Sequence, residues 1–208
     1  MTSNRHNRTN DDNVLDAARD CVLAVGVRRT TLTDIARRAG VSRMTLYRRW
    51  PDVRTIVGDL MTREWTALAA DVQDLDRGPD HGPAPDGDRP VRGRLVDSLV
   101  AGVRAFRDHP LLRKIVEVDP ELLLPYVLDR CGASQEAFLE LFETAIAAGQ
   151  ADGSIRAGHP VRQARALLLV VQSFALSAPI MIDAADPELA PDAFDAELRH
   201  TLERTLSP

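Results

Sequence analysis

Within the eight residues Ser42-Arg43-Met44-Thr45-Leu46-Tyr47-Arg48-Arg49 stand three guanidiniums, two hydroxyls and a phenol. All of these donate hydrogen bonds to anionic oxygens. A guanidinium fork matches the acceptor edge of guanine, and the carbons of Thr or Met pack on a thymine methyl. Hydroxyl, phenol and guanidinium groups also bond phosphate oxygens. The set holds no nucleophile beside a base and no metal-ligand spacing, so its chemistry is recognition, not bond making.

Such donors need a rigid exposed face, and the flanking residues supply one. Thr31 can cap a helix, with Asp34 in its first turn suiting the helix dipole. Leu32, Ile35, Ala36 and Ala39 fall at helical spacing, and the two alanines allow a close crossing. Gly40 stands where the chain must leave this helix, a place that favours positive φ. Val41 fills the angle, Ser42 caps a second helix, and Leu46 and Trp50 point back into a core. Arg43, Met44, Thr45, Tyr47, Arg48 and Arg49 are left outward. This is a helix-turn-helix, a device that sets its second helix in the major groove of DNA.

The words Thr-Thr-Leu-Thr-Asp-Ile-Ala (30–36), Ala-Gly-Val-Ser (39–42) and Thr-Leu-Tyr (45–47), then Trp50, follow one another in a specific order and spacing. Over residues 13–60 the chain resembles the DNA-binding domain of the TetR/AcrR family of transcriptional regulators. The resemblance implies that Thr31 and Thr33 meet the DNA backbone and that Arg43, Met44 and Thr45 form the base-reading turn. It also implies that Tyr47 contacts phosphate and that Arg49 makes a further DNA contact. Two positions depart from the family. Met44 stands where a small residue is usual. Val53 stands where a phosphate-anchoring Lys is usual, leaving the neighbouring Arg54 as the candidate to take over. Asp52 is the expected cap of the following helix.

Charge is distributed in keeping with this. The 208 residues carry 26 basic and 31 acidic side chains, a formal net of −5. Residues 1–54 hold 11 Arg against 6 Asp, a net of +5, and the remainder holds 15 basic against 25 acidic residues, a net of −10. A basic head on an acidic body favours approach to DNA by one end. No run of apolar residues is long enough to span a membrane. Cys21 and Cys131 form no disulfide framework, which fits a reducing cytoplasm. His6, His81, His109, His159 and His200 are scattered, and no phosphate loop, His-Glu-x-x-His or nucleophile elbow occurs. Hence no catalytic residue, metal or cofactor is expected.

The rest of the chain reads as all-α, with no period-2 pattern. Residues 1–12 read as a disordered arm, 13–52 as a three-helix helix-turn-helix domain, and 53–208 as a helical effector-binding and dimerisation domain. Helices are expected over 13–25 and 52–75, then a Gly- and Pro-rich loop at 77–90. Further helices are expected at 91–108, from Pro110, from 119 to 130, from 134 to 148, from Pro160 and at 192–206. Residues 164–178 are apolar nearly all round, while Phe194, Leu198, Leu202 and Leu206 form one stripe. The resemblance implies that these last two helices pair with their copies in a homodimer, although a buried monomer core also accounts for them. Two-fold symmetry matches a palindromic operator on double-stranded DNA. The resemblance further implies a small-molecule effector pocket in the body, with Phe106, Leu112, Ile115, Tyr126, Phe138, Phe142, Gln172, Ser173 and Phe174 as candidate lining. The favoured function is a repressor released by that effector. Regulation by a protein partner without a ligand is the alternative, and an all-helical enzyme a remote one.

Overall fold

The computed structural model describes the backbone over residues 3–77 and 89–208, and side chains over 11–71 and 89–208. The side chain of His6, together with His81 and most of the expected 77–90 loop, lies outside what is described. Among the described residues the protein is helical and without strands. The helices are α1 (Ser3–Val25), α2 (Leu32–Ala39), α3 (Arg43–Arg49), α4 (Val53–Arg77), α5 (Val91–Asp108), α6 (Pro110–Val118), α7 (Leu124–Leu128), α8 (Ala133–Ala151), α9 (Pro160–Leu176) and α10 (Pro191–Leu206). No helix among the described residues is long and apolar enough to cross a membrane.

Two expectations about extent differ from the structure. α1 begins at Ser3, inside the segment read as a disordered arm. That stretch has no apolar stripe before Val14, so periodicity offered no sign of it. The single helix expected over 119–130 is instead a 3-10 turn, Pro120–Leu122, followed by the short α7. Pro125 has no amide to bond the preceding turn, so one continuous helix cannot pass through it.

The chain divides into two compact units: Met1–Trp65 with His109–Cys131, and Thr66–Asp108 with Gly132–Pro208. The first unit therefore includes α6 and α7, which the sequence grouped with the body. Its core joins Val14, Ala18 and Val22 of α1, Ile35 of α2, Leu46 of α3, Trp50, and Ile56 and Leu60 of α4. Leu111 and Ile115 of α6 complete that core.

A buried carboxylate fastens α6 inside this unit. Asp119, fully sealed from solvent, accepts the Val27 amide at 2.6 Å and the Arg28 amide at 3.3 Å. The Arg28 guanidinium lies 3.4 Å from Asp119 and also bonds Glu121. Gly26 permits the approach. Its φ is 81°, and a Cβ there would sit 2.9 Å from an Asp119 oxygen.

The second unit is an antiparallel bundle of α5, α8, α9 and α10. At one end the Val91 amide donates to Asp152 after α8, and the Arg156 amide donates to the Leu206 carbonyl of α10. At the other end Gln135 of α8 bonds Gln172 of α9, and Arg107 of α5 bonds Asp195 of α10. Val96, Val103, Ile146, Leu167, Leu198, Leu202 and Leu206 form the core.

Candidate nucleic-acid interface

The bihelical unit forms by local interactions. Thr31 Oγ1 accepts the Asp34 amide at 3.1 Å and donates to the Asp34 carboxylate at 2.6 Å, capping α2. α2 ends at Gly40 with φ 68° and ψ 24°, the left-handed region. The Val41 amide then reaches back to the Ala36 carbonyl at 3.0 Å, closing the turn that sets the angle between α2 and α3. Ser42 Oγ accepts the Thr45 amide at 3.1 Å and lies 2.8 Å from the Thr45 hydroxyl.

α3 is braced from below. Leu46 and Trp50 are 1 % and 2 % exposed, and the Trp50 indole N–H donates to Asp59 at 2.8 Å. With those two anchored, the rest of α3 faces solvent. Arg43, Thr45 and Arg48 are exposed, Met44 is 79 % exposed and Tyr47 49 % exposed. Met44, Thr45, Tyr47 and Arg48 line a shallow recess on this face. Among the described residues Arg43 and Arg48 have no carboxylate partner, so both guanidiniums are open to an external anion.

Other expected contact residues are engaged differently. Arg49 lies over the Trp50 ring at 5.2 Å and within 3.7 Å of Asp11 and 3.8 Å of Asp59. Those carboxylates draw it back toward the head. Thr31 is exposed but its hydroxyl serves the α2 cap, and Thr33 is half-buried. Val53 packs on the first core while Arg54 is exposed, so of these two it is Arg54 that offers a positive charge at the surface. Asp52 caps α4 by accepting the Thr55 amide at 2.7 Å and its hydroxyl at 2.9 Å, bonds that hold its carboxyl below the usual range.

The effector candidates fall into two groups. Leu112, Ile115 and Tyr126 belong to the first unit, where Ile115 is sealed within the core. Phe106, Phe138, Phe142, Gln172, Ser173 and Phe174 belong to the second. Phe138 and Phe142 stack at 6.3 Å, and Gln172 accepts from Gln135 at 2.8 Å. Ser173 is on the exposed side of α9. The α10 stripe turns inward: Leu198 and Leu202 have no exposed surface and Leu206 is nearly sealed, so it fills its own unit's core. On α9, by contrast, Leu169 is 69 % exposed. Asp59, Asp119 and Arg107 were not singled out in the sequence. Arg107 and Asp119 act on partners 88 and 92 residues away, beyond any local pattern.

Comparison with known proteins agrees with this geometry. Residues 14–57 match the family described as bacterial regulatory proteins, tetR family. An uncharacterized HTH-type transcriptional regulator of Mycobacterium bovis is 37 % identical over 91 % of this chain and 90 % of its own length. Among solved structures, the Rhodococcus erythropolis transcriptional repressor QsdR superposes with a TM-score of 0.64 at 16 % identity, covering 96 % of this chain and 95 % of that one. SmeT in complex with triclosan gives a TM-score of 0.61 at 20 % identity, covering 96 % and 92 %. At these identities the solved structures speak for the fold.

Proposed function

Because the chain belongs to the TetR family of bacterial regulatory proteins, we propose that it is a homodimeric repressor, released from a palindromic operator by a small-molecule effector. One observation carries the DNA-binding part: α3 is anchored by Leu46 and Trp50 while Arg43, Met44, Thr45, Tyr47 and Arg48 face outward. Arg43, Met44 and Thr45 then read base edges from the first turn of α3. Tyr47, Arg48, Ser42 and Arg54 meet phosphates, with Thr31, Thr33 and Arg49 at the margin of the contact.

Dimerisation and effector binding are assigned to the body. Arg162, Arg165, Ala166, Leu169 and Ser173 recur along the exposed side of α9. An apolar residue as open as Leu169 at the centre of such a side supports pairing with a second copy. Effector control is supported by the likeness to SmeT, which has been solved with triclosan bound. The protein is thus a regulator acting on DNA in the cytoplasm, not an enzyme.

A gel-shift with the DNA upstream of its own coding region tests this reading. Retardation is expected, with affinity falling steeply as salt rises, because each neutralised phosphate releases counterions. Absence of retardation at low salt overturns it. Sedimentation of Leu169→Glu should show monomers where the wild type shows dimers. A dimeric variant would move the interface off α9.

A further inference from the structure

A buried guanidinium in the second unit has half of its fork unmatched. Arg107 extends the inward side of α5 one turn beyond Val96, Val100 and Val103 and is only 9 % exposed at its side chain. Its Nη2 donates to Asp195 at 2.9 Å. Its Nη1 is sealed from solvent and meets no acceptor. Burying a donor without an acceptor costs free energy, and such atoms are rare in folded proteins. Asp195 has no oxygen left over for Nη1. Itself 4 % exposed, it is shared with Arg104, whose Nε donates to its second oxygen at 2.8 Å. Arg104 is half-exposed and also meets the exposed Asp192, so Arg107 is the guanidinium of the two that is held in the interior.

The surroundings indicate what kind of molecule would bring the missing acceptor. The Arg107–Asp195 and Gln135–Gln172 bonds lie at the same end of the bundle. That end carries the half-buried Phe138 and Phe174, and Phe106 adjoins Arg107 on α5. Aromatic side chains and one guanidinium with an unmatched N–H at the same end of the bundle make the combination that suits an amphiphile, an apolar lining with a single polar anchor.

We propose that Arg107 is the polar anchor of the effector site and that the ligand is a small apolar monocarboxylate whose oxygen accepts from Nη1. This rests on the effector-controlled reading above and adds the chemical class of the ligand. The anchor gives selectivity through a charge-assisted bond made where water is excluded.

The test uses the full-length protein. Straight-chain carboxylates from hexanoate to dodecanoate, and 4-phenylbutyrate, are titrated calorimetrically beside the matching primary alcohols. At least one acid is expected to bind tenfold or more tightly than its alcohol. Arg107→Lys keeps a cation for Asp195 but lacks Nη1, and it should lower acid affinity at least tenfold while leaving alcohol affinity within twofold. If that variant does not fold, the wild-type acid-to-alcohol ratio decides alone. Equal binding of acids and alcohols overturns the anchor. So does unchanged acid binding in Arg107→Lys, which would mean that Nη1 meets only buried water, and so does no binding by either class. Adding each compound to the preformed DNA complex separates the two readings. Release by acids and alcohols alike sinks the anchor and keeps effector control. Acid binding that depends on Arg107 without release keeps the anchor and sinks effector control.

Discussion

Arginine appears in two opposite settings, on α3 and on α5. Arg43 and Arg48 are exposed and without a carboxylate partner among the described residues, so solvent can reach their guanidiniums. Arg107 is enclosed, and the N–H groups on its Nη1 are satisfied by nothing described. An unmatched donor therefore has different meanings in the two regions. In solvent it costs nothing, so its significance comes from how the helix is held. In the interior it is a debit against the fold, so its significance comes from the atom itself.

The largest expected effect lies on the enclosed side. Asp195→Ala leaves Arg107 without its buried counter-charge and should lower stability by about 3–5 kcal/mol, read by chemical denaturation. A loss near zero would mean that the α5 guanidinium is as well hydrated as those of α3. Next is a buried carboxylate settled by two backbone amides together with the exposed Arg28 guanidinium. Asp119→Ala strands the Val27 and Arg28 amides and should cost about 3 kcal/mol. Asp119→Asn keeps one acceptor and should cost less.

The solvent side predicts the reverse pattern. Arg43→Ala should change stability by less than about 0.5 kcal/mol and weaken operator binding by about 1–3 kcal/mol with relaxed base preference. A stability loss larger than the binding loss would show that Arg43 belongs with the enclosed group. The smallest effect concerns pH. His109 caps α6, its Nδ1 accepting the Leu111 amide at 3.3 Å, and its ring lies edge-on to Trp65 at 5.0 Å. Burial chiefly holds its pKa below the ordinary histidine value, with Glu64 pulling it up and Arg19 pushing it down. The neutral ring is thus favoured in the fold. Its contribution is complete above about pH 6.5 and is lost as pH falls through the lower folded value. His109→Asn retains a capping acceptor and should flatten the stability profile between roughly pH 7 and pH 5. An unaltered profile would assign the acid sensitivity elsewhere.

What could be read beforehand follows the range of the interactions involved. The turn between α2 and α3 was legible because Thr31, Asp34, Gly40, Val41, Ser42, Leu46 and Trp50 settle its geometry within twenty residues. The α10 stripe was legible as apolar, but its partner was not. Periodicity gives the side that must be covered and says nothing about which chain covers it. Asp119 and Arg107 were illegible for a related reason. A lone Asp after a helix and a lone Arg at a helix end look like surface residues until distant segments close over them. Residue type is all that marks the effector candidates in the sequence, and it cannot tell Ile115, packed within the first core, from Phe138 at the end of the second.

The anchoring of α6 by Asp119 also bears on how such proteins can be recombined. The unit that carries α3 is stitched from two stretches of chain, 1–65 and 109–131, with 43 intervening residues assigned to the other unit. A chimera that transplants only the amino-terminal stretch onto a foreign body would arrive with Val27 and Arg28 facing a stranger's loop. Grafts that carry both stretches together should keep their heads intact.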